Sequence, residues 1–208
     1  MPDARTQAAR RHFDRWSTTY ESDRSSRRLK DAQDAALAAL SLGPDDELLD
    51  VGCGSGAAVR EAAQVARHAV GFDLSGGMVA RARELAAGIE NVELHVGDVA
   101  GRLPFEDARF SAVLSTTAFH HFTDPERTLA EMARVLAPGG RIVIGDMNGD
   151  RLSIRLLDLA LRLLQRSHVG FPRPSRLMRE MRACGLSDPS VSTIWRGAYA
   201  IIGARKAA

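Results

Sequence analysis

Three glycines at alternate positions, Gly52, Gly54 and Gly56, follow the short apolar run of "LLDVGCGSG", with Asp50 just ahead of them. Glycine weakens helix and strand interiors alike, so this much backbone freedom answers to a turn or to the close approach of a ligand. The spacing is G-x-G-x-G, whereas the dinucleotide fingerprint is G-x-G-x-x-G. Asp50 would also repel a pyrophosphate and attract a cationic amino group. Two more acids occupy comparable places, Asp73 in "GFDLS" and Asp98 in "VGDV". Asp73 is placed to accept hydrogen bonds from two ribose hydroxyls. Asp98 can accept from an exocyclic amine while the Val99 N–H donates to a ring nitrogen. The three acids together describe a pocket for an adenosine bearing an amino-acid tail. Singly, each also fits a helix cap or a loop carboxylate. The adjacent pair His120 and His121 adds imidazoles suited to base chemistry near neutral pH, although a packed structural role is the more common use of such a pair.

Such residues meet only if successive strand ends come together. "ELLDVG", "AVGFD", "NVELHVGD", "SAVLS" and "RIVIGD" read as five strands. Helical patterns separate most of them: "SGAAVREAAQVARH", opening at its glycines; "MVARARELAA", stopping at Gly88; and "DPERTLAEMARVLA", with Asp124 as N-cap, Pro125 at its first position and "PGG" as its stop. An earlier helix puts Leu29, Ala32, Ala36, Leu37 and Leu40 on one face and ends at Gly43-Pro44. Alternation of this kind predicts a parallel sheet covered on both faces, with a ligand beyond the carboxyl ends of its strands. Two helical stretches follow, "RLSIRLLDLALRLLQR" and "SRLMREMRACG". The latter has Ser175 as N-cap, Gly185 as stop, and Leu177, Met181 and Cys184 on one face. Then "VSTIWR" and "YAIIGAR" face each other across Gly197 and Ala198, a hairpin that adds an antiparallel edge. The fold class is α/β, a doubly wound, mostly parallel sheet with a C-terminal antiparallel hairpin. No repeat, low-complexity tract or linker divides the chain.

In order and spacing, "LLDVGCGSG", "GFDLSGGMVARAR", "GDVAGRLPFEDARF" and "STTAFHHFTDPERTLAEMARVLAPGGRIVIGD" resemble the successive motifs of the class I S-adenosylmethionine-dependent methyltransferases of small-molecule type. "HFDRWSTTYES" resembles the opening of the ubiquinone/menaquinone-type members. The resemblance implies a seven-stranded, Rossmann-like sheet in one domain, 1–208. Its parts would be an N-terminal helical cap, 1–43, a cofactor-binding core, 44–146, a helical substrate cap, 147–185, and a terminal hairpin, 186–208. The implied cofactor is S-adenosylmethionine. Gly52, Cys53, Gly54 and Gly56 would surround its methionine part, with Asp50 near the amino group. Asp73 would hold the ribose, and Leu74 and Met78 would pack on the adenine. Gly97, Asp98 and Val99 would border the adenine edge, Ser115 would offer a backbone carbonyl, and Tyr20 would close over the site. Two positions depart from the family pattern: Ser111 stands where an aspartate is usual, and Gly76-Gly77 replaces a Pro-acid pair. Neither touches the inferred cofactor contacts.

Composition narrows the remaining classes. With 208 residues, 45% of them hydrophobic, the chain can bury one sizeable core. It has no apolar run long enough to span a membrane, and its opening residues lack a signal-peptide core. Cys53 and Cys184 form no disulfide framework and suit a reducing cytoplasm. No zinc spacing or catechol-type acidic cluster is present, so transfer is expected to be metal-independent. Residues 1–30 carry 8 basic and 4 acidic side chains, residues 151–208 carry 11 and 3, and the centre carries 9 and 19. Basic flanks can neutralise an acidic core or line a site for an anionic substrate. They lack the interleaved aromatics of a nucleic-acid binder. Residues 151–166 place Arg151, Arg155, Asp158, Arg162 and Arg166 on one stripe of an otherwise apolar helix. That helix could pack on the sheet, roof an apolar pocket or join a homodimer. The expected function is in-line methyl transfer to a small, partly hydrophobic acceptor, with His120 or His121 as base where the nucleophile carries a proton. The alternatives are an RNA or protein methyltransferase and a non-catalytic S-adenosylmethionine-binding protein.

Overall fold

Alternate residues of the first strand face opposite layers: Leu48 belongs to one buried cluster, and Leu49 and Val51 to the other. This two-sided burial is what a central parallel strand needs. The computed structural model describes residues 4–17, 24–164 and 168–208, apart from the side chains of residues 4, 5, 16 and 24–28. In chain order the elements are α1 (Ala4–Trp16), α2 (Arg24–Leu40), β1 (Glu47–Val51), α3 (Ala57–Ala62), β2 (His68–Asp73), α4 (Gly76–Leu85), β3 (Val92–Val96) and β4 (Phe110–Thr116). They continue with α5 (Pro125–Val135), β5 (Leu136–Met147), α6 (Leu152–Leu164), α7 (Pro174–Ala183), β6 (Leu186–Ile194) and β7 (Tyr199–Lys206).

The strands form one seven-stranded sheet in the order β3-β2-β1-β4-β5-β7-β6. β1 to β5 run parallel, and β7 is antiparallel to both β5 and β6. Strand order reverses between β1 and β4, where a crevice opens at the carboxyl ends. One core layer joins Ala32, Ala36, Leu37 and Leu40 of α2 with Val59 of α3 and Leu48, Leu114 and Val143 of the sheet. The other joins Leu129 and Met132 of α5 and Leu177 and Met181 of α7 with Leu49, Val113 and Ile144. Leu48, Leu49 and Leu114 are fully buried, and each such side chain contributes about 1.5–3 kcal/mol relative to exposure.

Four local outcomes differ from the sequence pattern: α7 starts at Pro174 with Arg173 as its N-cap, so Ser175 lies inside the helix and does not cap it, and the other three each have a visible reason. α3 stops at Ala62, well short of the predicted helix, because the Asn91 side chain donates to the Ala63 and Ala66 carbonyls at 2.9 and 3.1 Å. "PGG" does not separate α5 from β5, because Leu136 is already extended and pairs with Phe110 ahead of a register shift. The last strand pair closes at Ile194 and Tyr199, so Trp195 and Arg196 belong to the turn and both have positive φ. Asn148 holds that turn through its side-chain bond to the Gly197 carbonyl, 3.0 Å, and its N–H to the Ala198 carbonyl, 2.8 Å.

The two departures from the family pattern have structural roles. Ser111 donates to Asp46 at 2.6 Å and accepts from the Glu47 N–H at 3.0 Å. Gly77 lets α1 sit on the start of α4: a Cβ there would lie 3.2 Å from the Asp14 Cα. Asp14 accepts from the Ser75 hydroxyl at 2.5 Å and from the Gly77 N–H at 3.1 Å. Among the described residues, no helix is long and apolar enough to cross a membrane.

Candidate active site

A cavity of about 600 Å³ lies at the carboxyl ends of β1, β2, β4 and β5, within the size range of small-molecule sites. Asp50, Gly52, Cys53, Gly54, Asp73, Leu74, Met78, Asp98, Val99, His120 and His121 all line it. Residues distant in sequence are thus brought to one wall by the doubly wound topology. α1 contributes Thr6, Ala9, His12 and Phe13, the end of β5 contributes Met147, and the region after it contributes Leu161, His168 and Phe171.

Asp50 is 2% exposed, and its Oδ1 has no hydrogen-bond partner. Burial, with the nearby Asp73 charge adding to it, pushes this carboxyl up to about 8. Asp73 accepts from the Gly54 N–H and the Ser75 N–H, each at 2.8 Å. Burial raises its pKa, those backbone donors oppose the rise, and the Asp14 charge adds to it. Asp98 accepts from the Ala100 N–H at 2.9 Å. Ser75 caps α4 by accepting the Met78 N–H at 3.1 Å, which fixes Met78 in the wall. The Cys53 thiol is pushed well up by burial first, then by Asp73 and Asp50, which favours its protonated form.

Several sequence-predicted site residues are elsewhere. Gly56 is not in the cavity wall: it takes a positive φ at the N-cap of α3, where a Cβ would come 3.0 Å from the Ala82 Cβ. Gly97 is not in the wall either, because it packs against Phe72, whose ring would lie 2.3 Å from an added Cβ. Ser115 is fully buried within the β4–β5 pairing, and the wall is formed instead by Thr116, Thr117 and Ala118 just beyond it. Gly52 touches the cavity, yet its lack of a side chain serves Ala118, 2.5 Å from an added Cβ. Only Gly54 of the triplet would extend a Cβ into open space. Tyr20 lies outside the described residues.

His120 sits in a 3₁₀ turn after β4, with its ring Nδ1 2.9 Å from both oxygens of Asp146. Asp146 is fully buried and also accepts the His120 N–H at 3.0 Å and the Met147 N–H at 2.7 Å. A carboxylate only accepts, so Nδ1 carries the proton and Nε2 is left as the basic nitrogen. His121 lies 3.9 Å from the His120 ring and edge-on to Phe13 at 4.9 Å, centroid to centroid. A third imidazole, His168, is 5.4 Å from His120, and its Nε2 is 2.7 Å from Asp158 of α6. Burial lowers the His168 pKa; Asp158 opposes that effect, and the His120 charge adds to it. The Val169 and Gly170 N–H groups donate to the His120 carbonyl at 2.9 and 3.2 Å, tying this segment to the 3₁₀ turn.

Asp146 and His168 escaped the sequence reading, and Asp158 entered it only as part of the charged stripe of residues 151–166, not as a partner of His168. One signal was available. Asp158 is the lone acid in a leucine-rich helix, and a partly buried carboxylate there needs a donor. Among the described residues no group of histidine, cysteine and acidic side chains could hold a metal ion.

Residues 49–144 match the methyltransferase domain family. An uncharacterised 37.1 kDa protein in transposon TN4556 of Streptomyces fradiae is 35% identical over 136 residues, 64% of this chain and 39% of that protein. A demethylmenaquinone methyltransferase of Tropheryma whipplei is 32% identical over 151 residues, 70% of this chain and 62% of that protein. The chain therefore spans less than two thirds of the length of these curated relatives. An S-adenosylmethionine-dependent methyltransferase from Mesorhizobium loti has the same fold, with a TM-score of 0.72 at 20% identity, over 84% of this chain and 98% of that one. This chain's glycine loop and strand-end acids lie within the matched segment, which is somewhat under half of the chain, and with the sheet order they support a class I S-adenosylmethionine-dependent methyltransferase fold.

Proposed function

We propose that the protein transfers a methyl group from S-adenosylmethionine, in line and without a metal, to a small, partly apolar acceptor. The observation that carries this is the sharing of one cavity by the unpartnered Asp50 and the His120–Asp146 pair. Asp50 fits the family's cofactor: an ammonium would satisfy its orphaned Oδ1 and return a buried carboxyl to its charged form. Asp73 already binds two backbone N–H groups, and a carboxylate has lone pairs left for ribose hydroxyls. Leu74, Met78 and Val99 supply apolar surface for an adenine, with Asp98 as the polar group beside it. In this proposal Gly56, Gly97 and Ser115 shape the site from behind and do not touch the cofactor.

The cofactor supplies an electrophilic sulfonium methyl. The chain's part is to hold the acceptor, exclude water and take a proton. Phe13, Leu161 and Phe171 give the acceptor an apolar seat beside the three imidazoles. His120 Nε2 receives the proton of a hydroxyl or amine, and Asp146 steadies the imidazolium that results. His121 shapes the wall through its contact with Phe13 and is not the base. The walls added by α1 and the His168 segment favour a small molecule over a polymer. The test is to incubate the protein with methyl-labelled cofactor and a panel of phenols, quinols and amines, beside RNA and protein substrates. Label should appear on an apolar hydroxyl or amine acceptor. Label on RNA or protein alone would overturn the proposal.

A further inference from the structure

Helix α6 presents apolar side chains on two opposite sides. Inward, Ile154 is buried and Leu161 lines the cavity. Outward, Leu152, Leu156, Leu159 and Leu163 recur at the spacing of one helical line, 69, 62, 60 and 81% exposed. Leu164 extends the patch at the helix end, at 84%. A helix apolar on both sides belongs between two apolar phases, and among the described residues only the inner side meets protein. The reading of this helix as packed on the sheet therefore gives way: Ile154 is its sole buried residue.

Arginines edge the leucine line. At 100° per residue, Arg151, Arg155 and Arg162 fall on one flank, and all three are exposed. Arg151 donates to the Arg196 carbonyl, which brings the exposed Arg196 to the same end of the helix. Asp158, the single acid of α6, is taken up by His168, the Phe171 N–H and Arg162. Arg155 makes no side-chain hydrogen bond or ion pair among the described residues.

We propose that α6 docks the protein on an anionic lipid bilayer, with Leu152, Leu156, Leu159 and Leu163 entering the acyl boundary and Arg151 and Arg155 meeting lipid phosphates. An exposed apolar line bordered by arginines is the pattern of a helix lying in the membrane interface, where long basic side chains reach up to the headgroups. Charge selects this occupant over a second copy of the chain. Two such faces packed antiparallel about a twofold axis would bring their arginine rows to the same edge, with no free acid on α6 to meet them. Docking there also sets the cavity beside the bilayer, because Leu161 lines it from the inner side of the same helix. An apolar acceptor dissolved in the membrane would then have one helix to pass.

The test is co-sedimentation with vesicles of equal parts phosphatidylglycerol and phosphatidylcholine, against phosphatidylcholine alone. Neither cofactor nor acceptor is added, so the outcome is independent of methyl transfer. Wild-type protein should sediment with the anionic vesicles. The Leu156→Ser, Leu159→Ser, Leu163→Ser triple variant should partition at least tenfold less, and Arg155→Glu severalfold less, with the preference for anionic lipid lost. All four positions are exposed, so an unchanged thermal melt is expected and confirms the fold. Failure of the wild type to sediment, or undiminished binding by the triple variant, would overturn the proposal. A wild-type dimer made monomeric by the leucine substitutions, with no vesicle binding, would assign the face to a second copy instead.

Discussion

At His120 the decisive partner is the one the sequence hid. A histidine pair after the fourth strand is visible by inspection, but its tautomer is set by Asp146, 26 positions later in the chain. The strand-end acids were legible as a set, because three stand at successive strand ends, although each alone also fits a cap or a loop. Asp50, Asp73 and Asp98 all reached the cavity. Gly56, Gly97 and Ser115 were not separable from true wall residues, since only tertiary contacts show that the two glycines make room for Ala82 and Phe72. The proposed role of His120 makes a sharp prediction. His120→Gln keeps a polar side chain but removes the base, and should lower kcat by roughly 10²–10⁴-fold. Affinity for the demethylated cofactor should stay unchanged, and the acidic limb of the pH–rate profile should vanish. His121→Gln should keep that limb. Stopped assays across pH with both variants decide between the two histidines.

Among the elements, alternating helix and strand periods placed the core, whereas boundaries held by side chains went astray. The short α3 depends on Asn91, and the hairpin turn depends on Asn148, each reaching from a separate part of the chain. α1 shows how an element far from the sheet can matter to the site. Its seat is Gly77, and its Thr6, Ala9, His12 and Phe13 line the cavity. Gly77→Val would press against the Asp14 backbone and shift α1 away from α4. The acceptor KM should rise on the order of tenfold, since this wall contributes a few apolar contacts worth about 1.5 kcal/mol or more in all. The melting temperature should hardly change, because the sheet core is untouched. Gly76→Ala, where an added Cβ meets nothing within 4 Å, should leave KM unchanged. Equal KM values in the two variants would mean that α1 does not border the acceptor.

Over the whole molecule, basic flanks and an acidic centre were plain from composition, and mutual neutralisation was the simple expectation. The described ion pairs meet it sparingly. Lys30 with Asp34 and Glu61, and Arg176 with Glu126, join flank to centre, while Arg67–Glu47, Arg109–Glu93, Arg134–Glu131 and Arg141–Asp46 stay within the centre. Among the described residues, the exposed Arg151, Arg155 and Arg196 of the C-terminal flank make no ion pair with an acid. Among the acids, Asp50 ties the fold's stability to pH. Its carboxyl is held up to about 8 in the fold, against roughly 3.9 in an unfolded chain. Between those values the folded state binds the extra proton, so this group's contribution to stability is full below about pH 4 and is lost as pH rises toward 8. Asp50→Asn should therefore raise the melting temperature at pH 8 relative to wild type while weakening cofactor binding.

The most direct measurement is calorimetric titration of S-adenosylhomocysteine at pH 7, repeated in two buffers of different ionisation enthalpy, with NAD as the comparison. The ligand's ammonium should displace the proton from Asp50, so binding should release close to one proton per ligand. That release should disappear above about pH 9 and in Asp50→Asn, and NAD should not bind. Binding of NAD in place of S-adenosylhomocysteine, or tight S-adenosylhomocysteine binding with no proton released, would contradict the placement of the cofactor's amino group on Asp50.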